Sequence, residues 1–416
     1  MGGLANGTSV FTGLLEGDDV LRTGQAMSAL GAKVEQLGKG YWRVTGVGEA
    51  GLSTPAAPLD FGNSGTGSRL MMGVMAGHDL TAEIIGDASL SARPMNRILI
   101  PLRQMGAIDT AAEDGQLPFS LTGTDELQAI TYAPPHASAQ VKSAVMLAGL
   151  RANGTTVVEE AKPTRDHTER MLRGFGVDVT TVREPNGPRR ISLQGGQSLT
   201  ALDTAIPGDP SSAAFLVAAG LISADGNVVV ENVMSNETRS GFYDAVHLMG
   251  ADIGADERDE ACGERMIDVQ ATSGEGAGRG LKGCDVPQRI VPSMIDEFPI
   301  LAILAAFAEG ETRVSGAAEL RVKETDRITA TVDMLRVNGV DVEERPDGFV
   351  IQGCGGPPPG GGLVETRHDH RIAMSALIMG TAAQAPVRVD DISMIDTSYP
   401  DFLAHMAELG ADIGEG

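Results

Sequence analysis

The chain has 416 residues, 42% of them hydrophobic, and a formal net charge of −24 at pH 7. This length exceeds what one hydrophobic core supports, so two domains of about 200 residues are expected. So strong an acidic excess argues against nucleic acid and anionic membranes as partners, because both need a basic protein surface. No apolar run approaches the ~20 residues of a membrane span.

The sequence also lacks a secretory signal pattern and a metal-ligand pattern of cysteines. The first residues show no basic segment followed by an apolar one, which predicts a cytoplasmic protein. The three cysteines, Cys262, Cys284 and Cys354, do not have the spacing of metal ligands. They predict neither a disulfide framework nor a metal site.

Taken in chain order, the predicted elements form a repeat. Six similar phrases, such as "QMGAID" and "VNGVDV", recur at intervals of about 70 to 90 residues, too long for one solenoid turn. Each contains a glycine after a helical apolar pattern, and these are Gly31, Gly106, Gly176, Gly250, Gly339 and Gly410. Such a glycine suits the left-handed end of a helix. The later turns "EDGQ", "EPNG" and "RPDG" predict that a hairpin closes the unit.

Five copies also have a front half, a predicted helix that is apolar on nearly every face and therefore central in its domain. These helices read "GNSGTGSRLMMGVMAG", "PHASAQVKSAVMLAGL", "GDPSSAAFLVAAGLI", "PSMIDEFPILAILAAFAEG" and "HDHRIAMSALIMG". Each unit is thus predicted as β-α-β-α-β-β. The opening "GGLANGTSVFTGL" aligns with the end of such a front half, so we expect the first unit to lack about twenty residues.

The front halves also carry the candidate chemistry. Helix N-termini bind anions through free N–H groups and the helix dipole. Arginine matches carboxylate and phosphate with two parallel hydrogen bonds. The cations in or near these motifs are Arg69, Arg93, Arg165, Lys323, Arg327 and Arg371. In so acidic a chain, their grouping would predict a site for small, multiply charged anions.

Each motif has an ordinary structural alternative. "NSGTG" is typical of turn chemistry, and the acidic pair Asp296 and Glu297 is typical of a helix N-terminus. "RVKETDR" resembles a solvated charge run, and the residues "RDH" from position 165 resemble a helix cap. "RHDHR" has two histidines, but their i, i+2 spacing is a poor metal-ligand geometry.

Together the motifs resemble one family. They are "LDFGNSGTGSRLMMG", "GDASLSARPMNR", "ASAQVKSAVMLAGL", "TRDHTERML", "PGDPSSAAFLVAA", "SMIDEFPILAILAAFAEG", "LRVKETDR" and "HDHRIAMS". Their order and spacing are similar to those of bacterial 5-enolpyruvylshikimate-3-phosphate synthases, in the lineage that includes glyphosate-insensitive enzymes. The resemblance implies an inside-out α/β barrel fold of two similar domains, 1–206 and 207–416. Each would contain three repeat units, with a hinge near Pro207–Gly208 and the active site in the cleft.

The resemblance further implies transfer of the enolpyruvyl group of phosphoenolpyruvate to the 5-hydroxyl of shikimate 3-phosphate, with release of phosphate. Catalytic roles are implied for Asp296 and Glu324. Shikimate 3-phosphate would be held by Ser138, Ala139, Gln140, Arg165, Asp296 and Lys323. Phosphoenolpyruvate would be held by Gly65, Arg93, Gln140, Arg327 and Arg371. No metal, no organic cofactor and a monomeric state are expected.

Two departures from the family qualify this expectation. The family's first front half contains P-G-x-K-S-x-S-x-R, which is absent here, so the chain is expected to be inactive or nearly so. Insensitive members carry alanine at Gly65, so glycine predicts inhibition by glyphosate.

Two alternative functions stay open. A relic that binds shikimate 3-phosphate without turnover is the first. A UDP-N-acetylglucosamine enolpyruvyl transferase is the second, although that enzyme would be expected to have a cysteine in a first-domain loop.

Overall fold

The computed structural model describes residues 1–183, 187–274, 278 and 280–414. The chain divides into two compact units of similar size. The first unit consists of Met1–Ile206 and Ala261–Glu264, and the second of Pro207–Glu260 and Arg265–Gly416. The main division therefore falls between Ile206 and Pro207, and the hinge at Pro207–Gly208 stays a prediction.

The first unit contains three four-stranded sheets, ordered β12-β1-β3-β2, β4-β5-β7-β6 and β10-β11-β9-β8. In each sheet one pair is parallel, β1 with β12, β4 with β5 and β8 with β9, and the other pairs for which the register is known are antiparallel. The strands are β1 (Thr8–Thr12), β2 (Lys33–Gly38), β3 (Tyr41–Thr45), β4 (Leu59–Asp60), β5 (Thr81–Ile85), β6 (Ile108–Asp109), β7 (Phe119–Thr122), β8 (Thr131–Tyr132), β9 (Thr155–Glu160), β10 (Val179–Arg183), β11 (Arg189–Gln194) and β12 (Thr204–Ala205). The helices are α1 (Asp18–Ala29), α2 (Gly65–Ala76), α3 (Ala88–Ser91), α4 (Asn96–Met105), α5 (Ala139–Gly149) and α6 (His167–Gly174).

The second unit repeats the plan with two three-stranded sheets, β13-β15-β14 and β16-β18-β17, and the parallel pair β19-β20. Its strands are β13 (Asn227–Ser235), β14 (Asp252–Ala261), β15 (Glu264–Thr272), β16 (Glu309–Val314), β17 (Asp341–Arg345), β18 (Gly348–Cys354), β19 (Leu363–Val364) and β20 (Arg388–Val389). Its helices are α7 (Pro210–Ile222), α8 (Gly241–Leu248), α9 (Phe298–Phe307), α10 (Arg327–Val337), α11 (His370–Ala382) and α12 (Phe402–Glu408). The predicted mixed α/β fold in two units is confirmed.

The helices predicted to be central are buried in their own units. All ten residues of α9 are buried, and twelve of the thirteen residues of α7 are buried. In the first unit, α2 and α5 pack so closely that a methyl group on Gly73 would lie 2.2 Å from the carbonyl oxygen of Ala144. Apolarity on nearly every face therefore marked core helices, because most residues of these helices are buried.

The repeat glycines take the backbone conformation that the sequence predicted. All six have a positive φ, from 76° at Gly250 to 115° at Gly106. Non-glycine residues rarely adopt this region, which explains why glycine ends each helix. The turn predicted at "RPDG" joins β17 to β18. Most of "EPNG" lies outside the described residues.

Among the described residues, no single helix is long and apolar enough to cross a membrane. The 3-10 segment Gln288–Met294 and α9 pass that test only as a pair, bent by 119°.

Candidate active site

In the first unit, the candidate residues collect at the N-terminal ends of α2 and α5. Ser64 caps α2 by accepting a hydrogen bond from the Gly67 amide at 3.2 Å. Ser138 caps α5 by accepting one from the Val141 amide at 3.4 Å. Ser138 and Ala139 thus lie in the first turn of a helix, where backbone N–H groups are available to an anion.

Gln140 and Arg69 join these two helix ends. Arg69 Nη1 donates to Gln140 Oε1 at 3.0 Å, and Gln140 Nε2 donates to Thr66 Oγ1 at 2.8 Å. The structure therefore brings Gln140 to the start of α2, close to Gly65. The sequence groups Arg69 with the other cations but suggests no role for it, because its partner Gln140 is 71 residues away along the chain.

Gly65 lies between two guanidinium groups. A Cβ built on it would lie 3.2 Å from Nη1 of Arg69 and 3.2 Å from Nη1 of Arg93. Arg93 donates to the neutral oxygens of Asn63 and Ser89. Burial, together with the charges of Arg97 and Arg93, lowers the pKa of Arg69 to about 10. The hydrogen bonds given above for Arg69 and Arg93 go to neutral oxygens, although Asp19 lies close enough to Arg93 to interact with its charge. Such guanidinium groups keep much of their capacity to bind an anion.

Arg165 precedes α6, where sequence analysis offered helix capping as the ordinary interpretation. That interpretation is wrong for Asp166, which occupies the N-cap position without a capping hydrogen bond from its side chain. Its Oδ1 accepts from Arg170 Nε at 2.9 Å instead. The Asp166 carboxylate bonds to the arginine and not to a backbone amide of the first turn, because a hydrogen bond between two charged groups is stronger than one to a neutral amide.

A group of possible metal ligands lies nearby. One ligand atom each from Asp166, His167 and Glu264 falls within 4.8 Å of the others. However, His167 Nδ1 is 2.7 Å from Glu264 Oε1, and Arg170 Nε is 3.6 Å from Glu264 Oε2. These carboxylates already face cations and an imidazole, so the group fits a charge network better than a metal site.

In the second unit, the candidate catalytic carboxylate lies between two cations. Asp296 Oδ1 is 3.3 Å from Lys323 Nζ and 3.1 Å from Arg327 Nη1. The Asp296 side chain is 14% exposed, so it combines a tight contact with access to solvent. Lys323 and Glu324 lie in the short segment between a 3-10 turn and α10.

The interpretation of "RVKETDR" as a solvated charge run is wrong for Arg327. Its side chain is 1% exposed and pairs with Asp369 at 2.7 Å, Glu324 at 2.6 Å and Asp296 at 3.1 Å. Burial alone would lower the pKa of Arg327, but Asp369 and Glu324 raise it. A substrate anion at Arg327 would have to compete with these carboxylates for the guanidinium group.

Arg371 begins the third front-half helix of the second unit. Asp369 caps α11 by accepting from the Arg371 amide at 2.9 Å, and the Arg371 side chain donates from Nη1 to the carbonyl oxygen of Asp296 at 3.0 Å. Burial and the neighbouring Arg371 lower the pKa of His370 to about 4. Asp369 holds both arginines, a role that its place in the "HDHR" motif could have suggested.

Comparison with known proteins gives the family. The model for "EPSP synthase (3-phosphoshikimate 1-carboxyvinyltransferase)" matches residues 1–406. The chain belongs to the EPSP synthase family. A relative named 3-phosphoshikimate 1-carboxyvinyltransferase, from Hyphomonas neptunium, is 71% identical over 99% of this chain and 93% of its own length. A relative of the same name from Parvibaculum lavamentivorans is 53% identical over 99% and 90%.

Solved structures agree with this family. An EPSP synthase from Acinetobacter baumannii has a TM-score of 0.92 and 44% identity, covering 99% of this chain and 92% of that one. The enolpyruvyl transferase NikO from Streptomyces tendae has a TM-score of 0.70 at 18% identity, which shows a shared fold alone. The predicted family is confirmed, whereas the glyphosate-insensitive lineage and the cytoplasmic location stay predictions.

Proposed function

We propose that this EPSP synthase family member transfers the enolpyruvyl group of phosphoenolpyruvate to the 5-hydroxyl of shikimate 3-phosphate and releases phosphate. This reaction belongs to the shikimate pathway of aromatic amino acid biosynthesis. The observation that carries the proposal is Asp296, a partly buried carboxylate held between Lys323 and Arg327, in a chain 71% identical to a protein named for this reaction.

The proposed chemistry needs a base at the hydroxyl and an acid at the methylene carbon. Asp296 would accept the 5-hydroxyl proton as that oxygen attacks C2 of phosphoenolpyruvate, and a carboxyl such as Glu324 would protonate C3. In the resulting tetrahedral intermediate, the same carboxylate takes a proton back from C3 as phosphate leaves, which restores the double bond. Glu324 is 49% exposed, so it can exchange protons with solvent between steps.

The substrate contacts are proposed from the same residues as the sequence predicted. For shikimate 3-phosphate they are Ser138, Ala139, Gln140, Arg165, Asp296 and Lys323. For phosphoenolpyruvate they are Gly65, Arg93, Gln140, Arg327 and Arg371. Two features support anion binding in the first unit. They are the helix caps at Ser64 and Ser138, and the two arginines beside Gly65, which donate to neutral oxygens.

The test is phosphate release from phosphoenolpyruvate by the purified chain, with and without shikimate 3-phosphate. We expect slow release that requires both substrates, in keeping with the near-inactivity that the sequence predicts, and Asp296→Asn should lower kcat about 10²- to 10⁴-fold further. Glu319→Gln is the matched control, because Glu319 also pairs with Lys323 Nζ, at 3.4 Å, but is 67% exposed. It should leave kcat near the wild-type value.

Other outcomes would contradict the proposal. Release that requires UDP-N-acetylglucosamine would indicate the sister transferase. Calorimetric binding of shikimate 3-phosphate without any release would indicate a binding protein only.

A further inference from the structure

Glu297, the neighbour of Asp296, has no role in the proposed chemistry and an unusual environment. It is 2% exposed and stands at the N-cap position of α9, yet its side chain makes no capping hydrogen bond. Glu297 therefore lies at a helix start, as the sequence predicts, but its side chain bonds elsewhere. Its carboxylate accepts a hydrogen bond from Ser211 Oγ, in the first turn of α7.

Ser211 links Glu297 to a buried arginine. Arg239 Nη2 donates to Ser211 Oγ at 2.6 Å and lies 2.8 Å from Asp209 Oδ1. The Arg239 side chain is 10% exposed. Burial alone would lower its pKa, but Asp209, Glu297 and Asp296 raise it. The segment before α8 is thus tied to the starts of α7 and α9 by one polar network.

The network ends at the candidate substrate cation Arg371. Arg371 Nη1 lies 3.9 Å from Glu297 Oε1 and donates to the carbonyl oxygen of Asp296 at 3.0 Å. Two guanidinium groups, Arg239 and Arg371, therefore face two carboxylates, Asp209 and Glu297. Burial raises the pKa of Glu297, while Arg371 and Arg239 oppose that rise.

This arrangement can hold a side chain that would otherwise move. An arginine has several rotatable bonds, and fixing them before an anion arrives reduces the entropy lost on binding. The Glu297 carboxylate attracts Arg371 from the side of the buried network, and the Asp296 carbonyl accepts from the same nitrogen. Together they restrict where the remaining donors of Arg371 point.

We propose that Glu297, held by Ser211 and the Arg239–Asp209 pair, is a positioning residue that orients Arg371 for binding phosphoenolpyruvate. This inference rests on the proposed function. Because Arg371 is assigned to phosphoenolpyruvate and not to shikimate 3-phosphate, loss of Glu297 should affect the two substrates differently.

The test measures KM for each substrate in Glu297→Ala and Glu297→Gln. Glu297→Ala should raise KM for phosphoenolpyruvate about tenfold or more, because hydrogen bonds and contacts to charged groups are lost. KM for shikimate 3-phosphate should change by less than about twofold. Glu297→Gln keeps a polar partner for Ser211 at nearly the same shape, so its KM for phosphoenolpyruvate should rise by a smaller factor.

Asp268→Asn is the matched control. Asp268 is a 5% exposed carboxylate of the same unit, paired with Arg258 and bonded to the Asn232 amide, outside the candidate site. Asp268→Asn should lower the urea midpoint, but it should not change the ratio of the KM for phosphoenolpyruvate to the KM for shikimate 3-phosphate. A merely structural Glu297 would behave in the same way.

Two results would overturn the inference. The first is an unchanged KM for phosphoenolpyruvate in Glu297→Ala. The second is a parallel rise of both KM values with a lowered urea midpoint. If Glu297→Ala does not fold, the isosteric Glu297→Gln decides by the same criteria. Absence of wild-type turnover would remove the proposed function and this inference with it, whereas normal wild-type turnover with unaffected variants would remove the inference alone.

Discussion

The candidate cations differ, residue by residue, in how their charge is balanced. Arg69 and Arg93 contact neutral oxygens, whereas Arg327 faces three carboxylates and Arg371 faces a carbonyl and a more distant carboxylate. A guanidinium with neutral partners gains more from an incoming anion than one whose charge is already balanced by carboxylates. The first pair should therefore contribute more to the initial capture of phosphoenolpyruvate.

Gly65→Ala tests the space between Arg69 and Arg93. A methyl group 3.2 Å from both guanidinium nitrogens is tighter than ordinary contact, so one group must move by a few tenths of an ångström. Overpacking of this kind costs about 1–3 kcal/mol in a protein core. Because a guanidinium at the end of a flexible side chain can shift, we take the lower part of this range, where about 1.4 kcal/mol is tenfold in affinity. We expect glyphosate to inhibit the wild type in competition with phosphoenolpyruvate, and we expect its inhibition constant to rise about tenfold in the variant.

Gly254→Ala is the control for this prediction. Gly254 lies in β14, and its new methyl would come no closer than 3.9 Å to Gln270. Its inhibition constant should match the wild-type value. A wild type that is indifferent to glyphosate would contradict the argument from Gly65.

His370 makes stability depend on pH. Its pKa falls from 6.5 to about 4 on folding, through burial and the charges of Arg371 and Arg327, against the opposing charges of Asp369 and Glu324. The unfolded chain binds the proton more tightly, so the free energy of unfolding should fall as the pH drops from about 6.5 to 4. The loss attributable to this group is up to about 3 kcal/mol.

Urea unfolding at several pH values checks this prediction. In His370→Gln, the free energy of unfolding should change less with pH between 6.5 and 4 than in the wild type. His247→Gln, at an exposed position of α8, should leave the slope unchanged. Equal slopes in the wild type and in His370→Gln would contradict the prediction.

Among the elements, the helices show which sequence patterns are enough to predict burial and helix ends. Apolarity on all faces predicted the buried helices α2, α5, α7, α9 and α11, and the repeat glycines predicted helix ends. Both signals are local, because a helix end depends on the φ of one residue. The hydrogen-bond partners of the acidic residues at the helix starts, in contrast, depend on the residues that folding brings near them. Asp369 and Asp209 cap their helices, but Asp166 and Glu297 bond elsewhere.

The contact between α2 and α5 gives a prediction at this scale. In Gly73→Ala, the methyl would meet the Ala144 carbonyl at 2.2 Å, so the helices must separate. The urea midpoint should fall, and the free energy of unfolding should decrease by about 1–3 kcal/mol. Gly24→Ala, within α1, would meet nothing closer than 3.6 Å and should stabilise the protein by about 0.5–1 kcal/mol. Equal effects of both substitutions would contradict the packing argument.

For the whole molecule, the net charge of −24 contrasts with the cations gathered at the helix starts of each unit. A chain so far from neutrality repels its own copies, which supports the predicted monomer. Light scattering at pH 7 and low ionic strength should give a mass near 43.2 kDa. A mass of about twice that value, independent of concentration, would contradict a monomer.

The sequence by itself determined the repeat, the two-unit α/β fold and the family, because helix ends, all-round apolarity and ordered motifs are properties of neighbouring residues. Tertiary structure alone decided the partners of the charged groups. Arg69 meets Gln140 across 71 positions, and Ser211 meets Glu297 across 86. Composition and spacing carry no signal for such pairs, since their energies depend on distance and burial in the folded chain. For that reason the solvated interpretation of Arg327 is wrong, although it fits the sequence, and the place of Glu297 at a helix start did not predict its bond to Ser211.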